Sequence, residues 1–167
     1  MILSETTIRN DGKTPDEFKS NDLDNAYKYF ELHANQRMAL FNFFLVLSGF
    51  ALAGLATIFQ NESWPPAIGA ALGGLLALIS FVFWKLDQRT AFLLKHAETI
   101  LSTIEQSTVS PRARIFSNEP SVWKKAQESP NLFFRPQTYG FCFRLIFLAM
   151  ALVGIAGCII YMSKLFF

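Results

Sequence analysis

Two long apolar runs dominate the chain, and almost nothing separates them. They cover residues 38–59 and 64–84, with only the four polar residues 60–63 between them. Neither run contains an Asp, Glu, Lys, Arg or His. About 21 residues of helix, at 1.5 Å per residue, span roughly 31 Å, which matches the hydrocarbon core of a bilayer. The pattern therefore predicts a transmembrane helical hairpin.

A third uncharged run lies near the end of the chain. It covers residues 145–162 and is bracketed by Arg144 and Lys164. Its 18 residues are near the lower limit for a helix that crosses a membrane. The sequence thus predicts an all-α membrane protein with three transmembrane helices.

The helical periodicity continues beyond the hairpin on both sides. Apolar and small residues recur at alternating steps of four and three before the first run, from Leu23 to Phe41, and after the second, from Leu86 to Ile104. This spacing is typical of amphipathic helices that pack together or self-associate. We expect two antiparallel helices that extend the hairpin into a stalk outside the membrane. A separate short helix is expected from Pro15 to a break near residues 20–22.

These patterns divide the chain into five segments. They are a polar N-terminal segment (1–22), a stalk helix with the first span (23–59), the second span with its stalk helix (64–105), a basic-aromatic segment (106–139) and the third span (140–164).

The distribution of basic residues predicts the orientation. Fourteen of the 15 Lys and Arg lie before the first span or between the second and third, and the 60–63 turn has none. The positive-inside rule then places the N-terminus and the basic-aromatic segment in the cytoplasm and the C-terminus outside. No signal peptide precedes the first span, so we expect it to serve as an uncleaved insertion signal in the bacterial inner membrane.

Composition and missing motifs exclude several classes of function. Charged residues make up 17% of the chain, against about 25% in soluble domains. The sequence has no Gly-rich phosphate loop, His-Glu-x-x-His motif, zinc-type cysteine pair or G-x-S-x-G motif. We therefore expect no catalytic residue, no metal and no cofactor. The spans lack the ionisable residues that mark pumps and transporters, and the net charge of +2 does not favour genomic nucleic acid.

The first span carries small and polar residues on one side, and we call this face the polar stripe. Two interpretations remain open: close helix packing, or the lining of a pore with the Phe residues facing lipid. The second span carries a small-residue contact face that includes Gly69, Gly73 and Ser80. The polar stripe consists of Asn42, Val46, Gly49, Ala53 and Thr57 and continues to Gln60.

The basic-aromatic segment is the candidate contact surface outside the membrane. It could bind anionic lipid head groups, dock an acidic partner or receive a nucleotide signal, and no recognisable nucleic-acid fold supports a fourth role. Its candidate contact residues are Arg112, Arg114, Lys124, Lys125 and Arg135.

Scattered residues around the hairpin resemble a known group of small bacterial membrane proteins from anti-phage loci, the SLATT-type effectors. The channel subunit of Hailong-type systems is one such case. The resemblance implies a pore or membrane-disrupting effector that a companion enzyme's nucleotide or oligonucleotide product opens, and it favours a tetramer. The residues that carry it are Tyr27, Glu31, His33, Ala34 and Arg37 before the first span and Phe83, Trp84, Leu86, Asp87 and Arg89 after the second.

Two functional hypotheses follow. The first is a homo-oligomeric membrane effector, an ion channel or pore gated from the cytoplasm that acts in anti-phage defence by disrupting the membrane. Three helices cannot enclose a conduit, so this function requires several copies around an axis. The alternative is a non-conducting membrane anchor or sensor that recruits a cytoplasmic partner.

Overall fold

The computed structural model describes residues 15–61, 63–128 and 137–166, and these residues form helices joined by short connections. The order is α1 (Pro15–Gln60), α2 (Pro66–Thr108), a 3₁₀ turn (Pro111–Ala113), α3 (Ile115–Gln127) and α4 (Tyr139–Phe166). α1, α2 and α4 are each long and apolar enough to cross a membrane. The predicted all-α fold with three transmembrane helices is confirmed.

α1 and α2 are about twice as long as a membrane is thick. They contain 46 and 43 residues, which correspond to about 69 Å and 65 Å of helix. Each is one continuous helix that passes from its apolar run into a polar extension. We use the word stalk for these extensions, residues 21–37 of α1 and 85–108 of α2.

The break expected near residues 20–22 is wrong, because α1 continues through them. Ser, Asn and Asp in a helix interior each cost at most about 0.7 kcal/mol relative to Ala, and neither Pro nor Gly interrupts the backbone there. The next turns are held in place by packing, since Leu23, Ala26 and Tyr27 are half-buried. Tertiary contacts therefore override a local capping signal.

α2 packs against both other spans, whereas α1 and α4 meet mainly through phenylalanine rings. The rings of Phe41 and Phe143 stack with centroids 4.0 Å apart, and those of Phe44 and Phe147 meet edge to face at 4.6 Å. Phe44 is fully buried by these contacts. Toward the turn between α1 and α2, α1 and α4 leave an apolar groove of about 410 Å³.

The close contact between α2 and α4 depends on glycines, which have no side chain to separate the two backbones. A Cβ atom at Gly73 would lie 2.5 Å from the backbone nitrogen of Cys158, and one at Gly154 would lie 2.6 Å from that of Ala77. The ring of Tyr161 covers Gly69 equally closely. Small residues let the two backbones approach and gain dispersion contacts along the whole crossing.

At the far end of the stalk, a buried carboxylate holds α3. Glu105 is 1% exposed and accepts hydrogen bonds from the backbone N–H groups of Ile115 (3.1 Å) and Ser117 (3.0 Å). These groups lack partners within α3 because they belong to its first turn. α3 can begin at Ile115 because Glu105 satisfies its first turn, and the helix includes Pro120.

Candidate functional site

The polar stripe lies on the face of α1 that has no partner in the described chain. All five of its residues in the first span are exposed, as is Gln60. A Cβ atom at Gly49 would meet nothing within 4 Å among the described residues. The opposite face of α1, with Phe44, Ser48 and Ala51, is buried against the other helices.

Polar groups make this exposed face unfavourable in contact with lipid. Thr57 donates its hydroxyl to the carbonyl oxygen of Ala53 at 2.9 Å, which satisfies it locally. The amide of Asn42 makes no hydrogen bond within the part of the chain that the structure describes. An unpaired amide in hydrocarbon costs roughly 4–8 kcal/mol. Water or another polypeptide is therefore a better neighbour for Asn42 than an acyl chain is.

The polar stripe continues without interruption into the stalk, which the sequence reading missed. Steps of three and four residues lead from Asn42 through Ala39 to five polar residues, all exposed. The sequence contains the signal for this continuation, because the helical spacing of the stripe holds across the membrane boundary. The five residues are Asn35, Glu31, Lys28, Asp24 and Asn21.

One ion pair lies within this extension. Lys28 Nζ and Asp24 Oδ2 are 2.7 Å apart, one helical turn from each other. The hydrogen bond from Lys28 to Asp24, and then the attraction between the two charges, raise the pKa of Lys28. Since Asp24 and Lys28 cancel, Glu31 leaves the extension with a net charge of −1.

The small-residue face of the second span is placed differently. Gly69 and Gly73 are buried against α4, and Ser80 is buried with its hydroxyl donated to the carbonyl oxygen of Leu76 at 2.8 Å. This face is therefore occupied within a single chain and is not available to a second copy.

A buried ion pair joins the three spans where the stalk begins. Arg37 Nε donates to Asp87 Oδ1 at 2.7 Å, and their side chains are 13% and 4% exposed. The guanidinium group also lies 5.3 Å from the ring centre of Phe143 on α4. Arg37 Nη2 and Asp87 Oδ2 are buried and have no hydrogen-bond partner among the described residues. The sequence pointed to both residues through the resemblance but not to their pairing.

A cavity of about 700 Å³ lies beside this ion pair, between the stalk, α3 and the first turn of α4, and we call it the stalk cavity. Its charged side chains, Arg37, Lys95, Glu98 and Glu119, cancel in sign, and Lys95 and Glu98 pair at 3.2 Å. A neutral, aromatic cavity favours a flat ring with hydrogen-bonding edges over a bare anion. Its aromatic and hydrogen-bonding lining consists of Phe116, Trp123, Tyr139, Thr99, Ser102, Gln137 and Thr138.

The predicted basic contact residues have different surroundings. Arg112, Lys124 and Lys125 are exposed. Arg114 instead donates to the carbonyl oxygens of Val109 and Gln106, both at 2.9 Å, and so closes the end of α2. Arg135 lies outside the described residues. From Trp84 to the end of α2 the helix extends about 36 Å, and Arg112 follows that end.

No cluster of metal ligands accompanies these features. Across residues 15–61, 63–128 and 137–166, no group of three His, Cys, Asp or Glu side chains could hold a metal ion.

Comparison with known proteins gives two matches. The model of the octameric membrane protein family matches residues 21–161. The CD-NTase-associated protein 19 of Escherichia coli is 38% identical over 141 residues, which cover 84% of this chain and 89% of that protein. No solved structure matches the chain significantly. The family match covers the whole stalk, α2 and most of α1 and α4, and the chain therefore belongs to the octameric membrane protein family.

Proposed function

We propose that this chain is one subunit of a homo-oligomeric membrane effector that forms a pore lined by α1 and acts in anti-phage defence. The observation that carries the proposal is the exposed polar stripe, which runs through the membrane-spanning part of α1 and on into the stalk. A pore hydrates Asn42 and Gln60, whereas lipid leaves them unpaired. The buried face of α1 anchors the lining helix to α2 and α4.

The number of copies sets the width of such a pore. Helices in contact have axes about 10 Å apart. A ring of eight α1 helices at this closest spacing has its axes about 13 Å from the centre and leaves an opening at least about 8 Å in radius, after about 5 Å for each helix. The tetramer favoured by the resemblance leaves only about 2 Å. The family description favours eight copies, which gives a pore wide enough to dissipate ion gradients.

The proposed signal reaches the stalk from the cytoplasm. The positive-inside rule places the stalk on the cytoplasmic side of a bacterial inner membrane. The name of the E. coli relative associates it with a nucleotidyltransferase. By analogy, the opening signal for this chain is a nucleotide product of a companion enzyme. The stalk cavity suits the base of such a ligand, and the exposed Arg112, Lys124 and Lys125 suit its phosphates or an acidic partner.

The position of the stalk cavity supports a route from signal to pore. Arg37 lines the cavity and also begins the first span, and its partner Asp87 ends the second. A ligand that binds more tightly when α3 and α4 shift favours that arrangement in proportion to its differential affinity. No catalytic step is needed, so we propose a non-enzymatic effector.

Conductance across planar bilayers tests the proposal. Purified protein should pass current, and Gly49→Leu or Thr57→Leu should strongly reduce it, because each places a bulky apolar side chain on the polar stripe. Ala149→Leu is a matched control, since Ala149 is an exposed position of α4. Bilayers that stay silent in all conditions, including with the companion enzyme's nucleotide product, would contradict the proposal.

A membrane anchor without conductance is the second candidate, favoured by the exposed basic residues that lie far from the membrane. It predicts that a cytoplasmic partner co-purifies with the chain and that combined Arg112→Gln, Lys124→Gln and Lys125→Gln changes abolish the association. The pore hypothesis predicts unchanged unitary conductance in the same variant, with altered gating only.

A further inference from the structure

We infer that neighbouring copies join through their stalks. The α1 arm of one copy (residues 21–36) packs against the α2 arm of the next (residues 85–103), around Leu32 and Phe92. The inference rests on the proposed homo-oligomer and names the surface and pairing that build it. The occupant of each exposed stalk face is a second copy of this chain.

Large apolar side chains are exposed on both arms outside the spans. Phe92 and Ile100 of α2 are 71% and 41% exposed, and Tyr29 and Leu32 of α1 are 41% and 54% exposed. Phe92 lies eight residues beyond Trp84, which is about 12 Å of helix. That distance takes it past the acyl chains, so lipid does not cover it. Packing these side chains against another polypeptide is favourable, because it removes apolar surface from water.

The register between α1 and α2 places two of these side chains at one height. The Arg37–Asp87 ion pair links the helices at the base of the stalk, and the contacts of Phe44 with Phe83 and of Gly54 with Leu72 keep nearly the same antiparallel register. Five residues outward from Arg37 is Leu32, and five residues outward from Asp87 is Phe92. Rotation about an axis parallel to the helices keeps each residue at its height, so Leu32 of one copy lies level with Phe92 of the next and the two can pack together.

The charges of the arms favour contact between an α1 arm and an α2 arm, which we call unlike pairing. The unburied side chains of the α1 arm, residues 21–36, include three acids (Asp22, Asp24, Glu31) and one base (Lys28), a net charge of −2. Those of the α2 arm, residues 85–103, include three bases (Lys85, Arg89, Lys95) and one acid (Glu98), a net charge of +2. Two α1 arms or two α2 arms repel each other, whereas an α1 arm attracts an α2 arm.

Unlike pairing is a heterologous contact, in which each copy uses two different surfaces. Such contacts close into rings when the rotation per copy divides a full turn. They also leave the polar stripe free, because Tyr29 and Leu32 lie beside it on the α1 wheel. The same assembly therefore places the polar stripe toward the axis and the apolar stalk face toward the neighbour.

Disulfide crosslinking in membranes tests the pairing. In a Cys142→Ala, Cys158→Ala background, the combined Leu32→Cys and Phe92→Cys variant should form a ladder of crosslinked species on mild oxidation. Each single variant should stay monomeric, and co-expressed single variants should give dimers only. Leu32→Cys with Val122→Cys is the matched control, since Val122 is 64% exposed but belongs to α3; it should give no ladder.

The outcomes separate this inference from the proposed function. Dimers from Leu32→Cys alone or Phe92→Cys alone indicate like pairing and overturn the inference. So does the absence of crosslinks in a chain that still conducts and that lysine-reactive crosslinkers capture as an oligomer. A chain that neither conducts nor forms oligomers overturns the proposed function itself. Phe92→Asp adds an independent measurement: it should dissociate the oligomer in detergent while the helical circular dichroism stays unchanged.

Discussion

Two faces of the hairpin carry the same kind of small residue, but only one of them is covered by another helix of the chain. Gly69 and Gly73 of α2 lie against α4, with no room for even one added carbon. Gly49 and Ala53 of α1 are exposed on the outer side of the bundle. The difference lies in the partner, because α4 fills the α2 face within one chain while only another molecule or water can meet the α1 face.

We call the α2 face that packs against α4 the closed side, and the exposed α1 face the open side. Substitutions on the closed side should cost stability, whereas those on the open side should change assembly or conduction. The largest effect is expected at Asp87, at the base of the closed side. Asp87→Ala leaves the buried Arg37 without its partner, and removal of one member of a buried ion pair costs about 3–5 kcal/mol. Unfolding in detergent measures this cost.

Asp24→Ala is the control, because it removes a carboxylate from an exposed ion pair on the open face. It should leave the unfolding midpoint unchanged. Equal destabilisation by the two substitutions would contradict the distinction between the faces.

A single added carbon at the two glycines gives the second-largest contrast. Gly73→Ala places a Cβ atom 2.5 Å from the backbone of Cys158, so α2 and α4 must separate, at a cost of about 1–3 kcal/mol. Gly49→Ala meets open space among the described residues and should leave the subunit as stable or slightly more so, because Ala is the better helix former. Thermal unfolding of the two variants measures the difference in stability. A destabilised Gly49→Ala subunit would show that the α1 face is covered.

The sequence predicts most of the fold and less of the candidate site, for identifiable physical reasons. Uncharged runs predict spans because the bilayer imposes their length. The partner of Gly73 could not be predicted, since a small-residue face favours close helix packing without specifying which helix packs against it. The pairing of Arg37 with Asp87 and the capping of α3 by Glu105 depend on contacts between distant parts of the chain, which local periodicity does not encode.

A smaller and more local effect is expected at the tip of the stalk. Glu105→Gln keeps the size of the side chain but weakens its hydrogen bonds to the first turn of α3, since a neutral acceptor binds N–H groups less strongly than a carboxylate does. α3 should loosen while the spans stay folded, with a loss of about 1–2 kcal/mol. Hydrogen exchange should rise for residues 115–127 and not for α4. Exchange that rises throughout the chain would show that α3 supports the spans as well.

The smallest effect on stability is expected at Lys28, where the expected change is in ion selectivity. Because hydrogen bonding to Asp24 raises its pKa, the ion pair's contribution is present below the ordinary value of 10.5 and is lost only as pH rises through the raised pKa. Stability should therefore not change through this residue between about pH 6 and 9. Lys28→Gln removes one positive charge per copy and changes the charge of the stripe's extension from −1 to −2. The reversal potential under a salt gradient should then shift toward cation preference, while Lys125→Gln, an equal charge change on α3, should leave it unchanged. A lack of any shift in Lys28→Gln would place the stalk extension of the polar stripe away from the ion path.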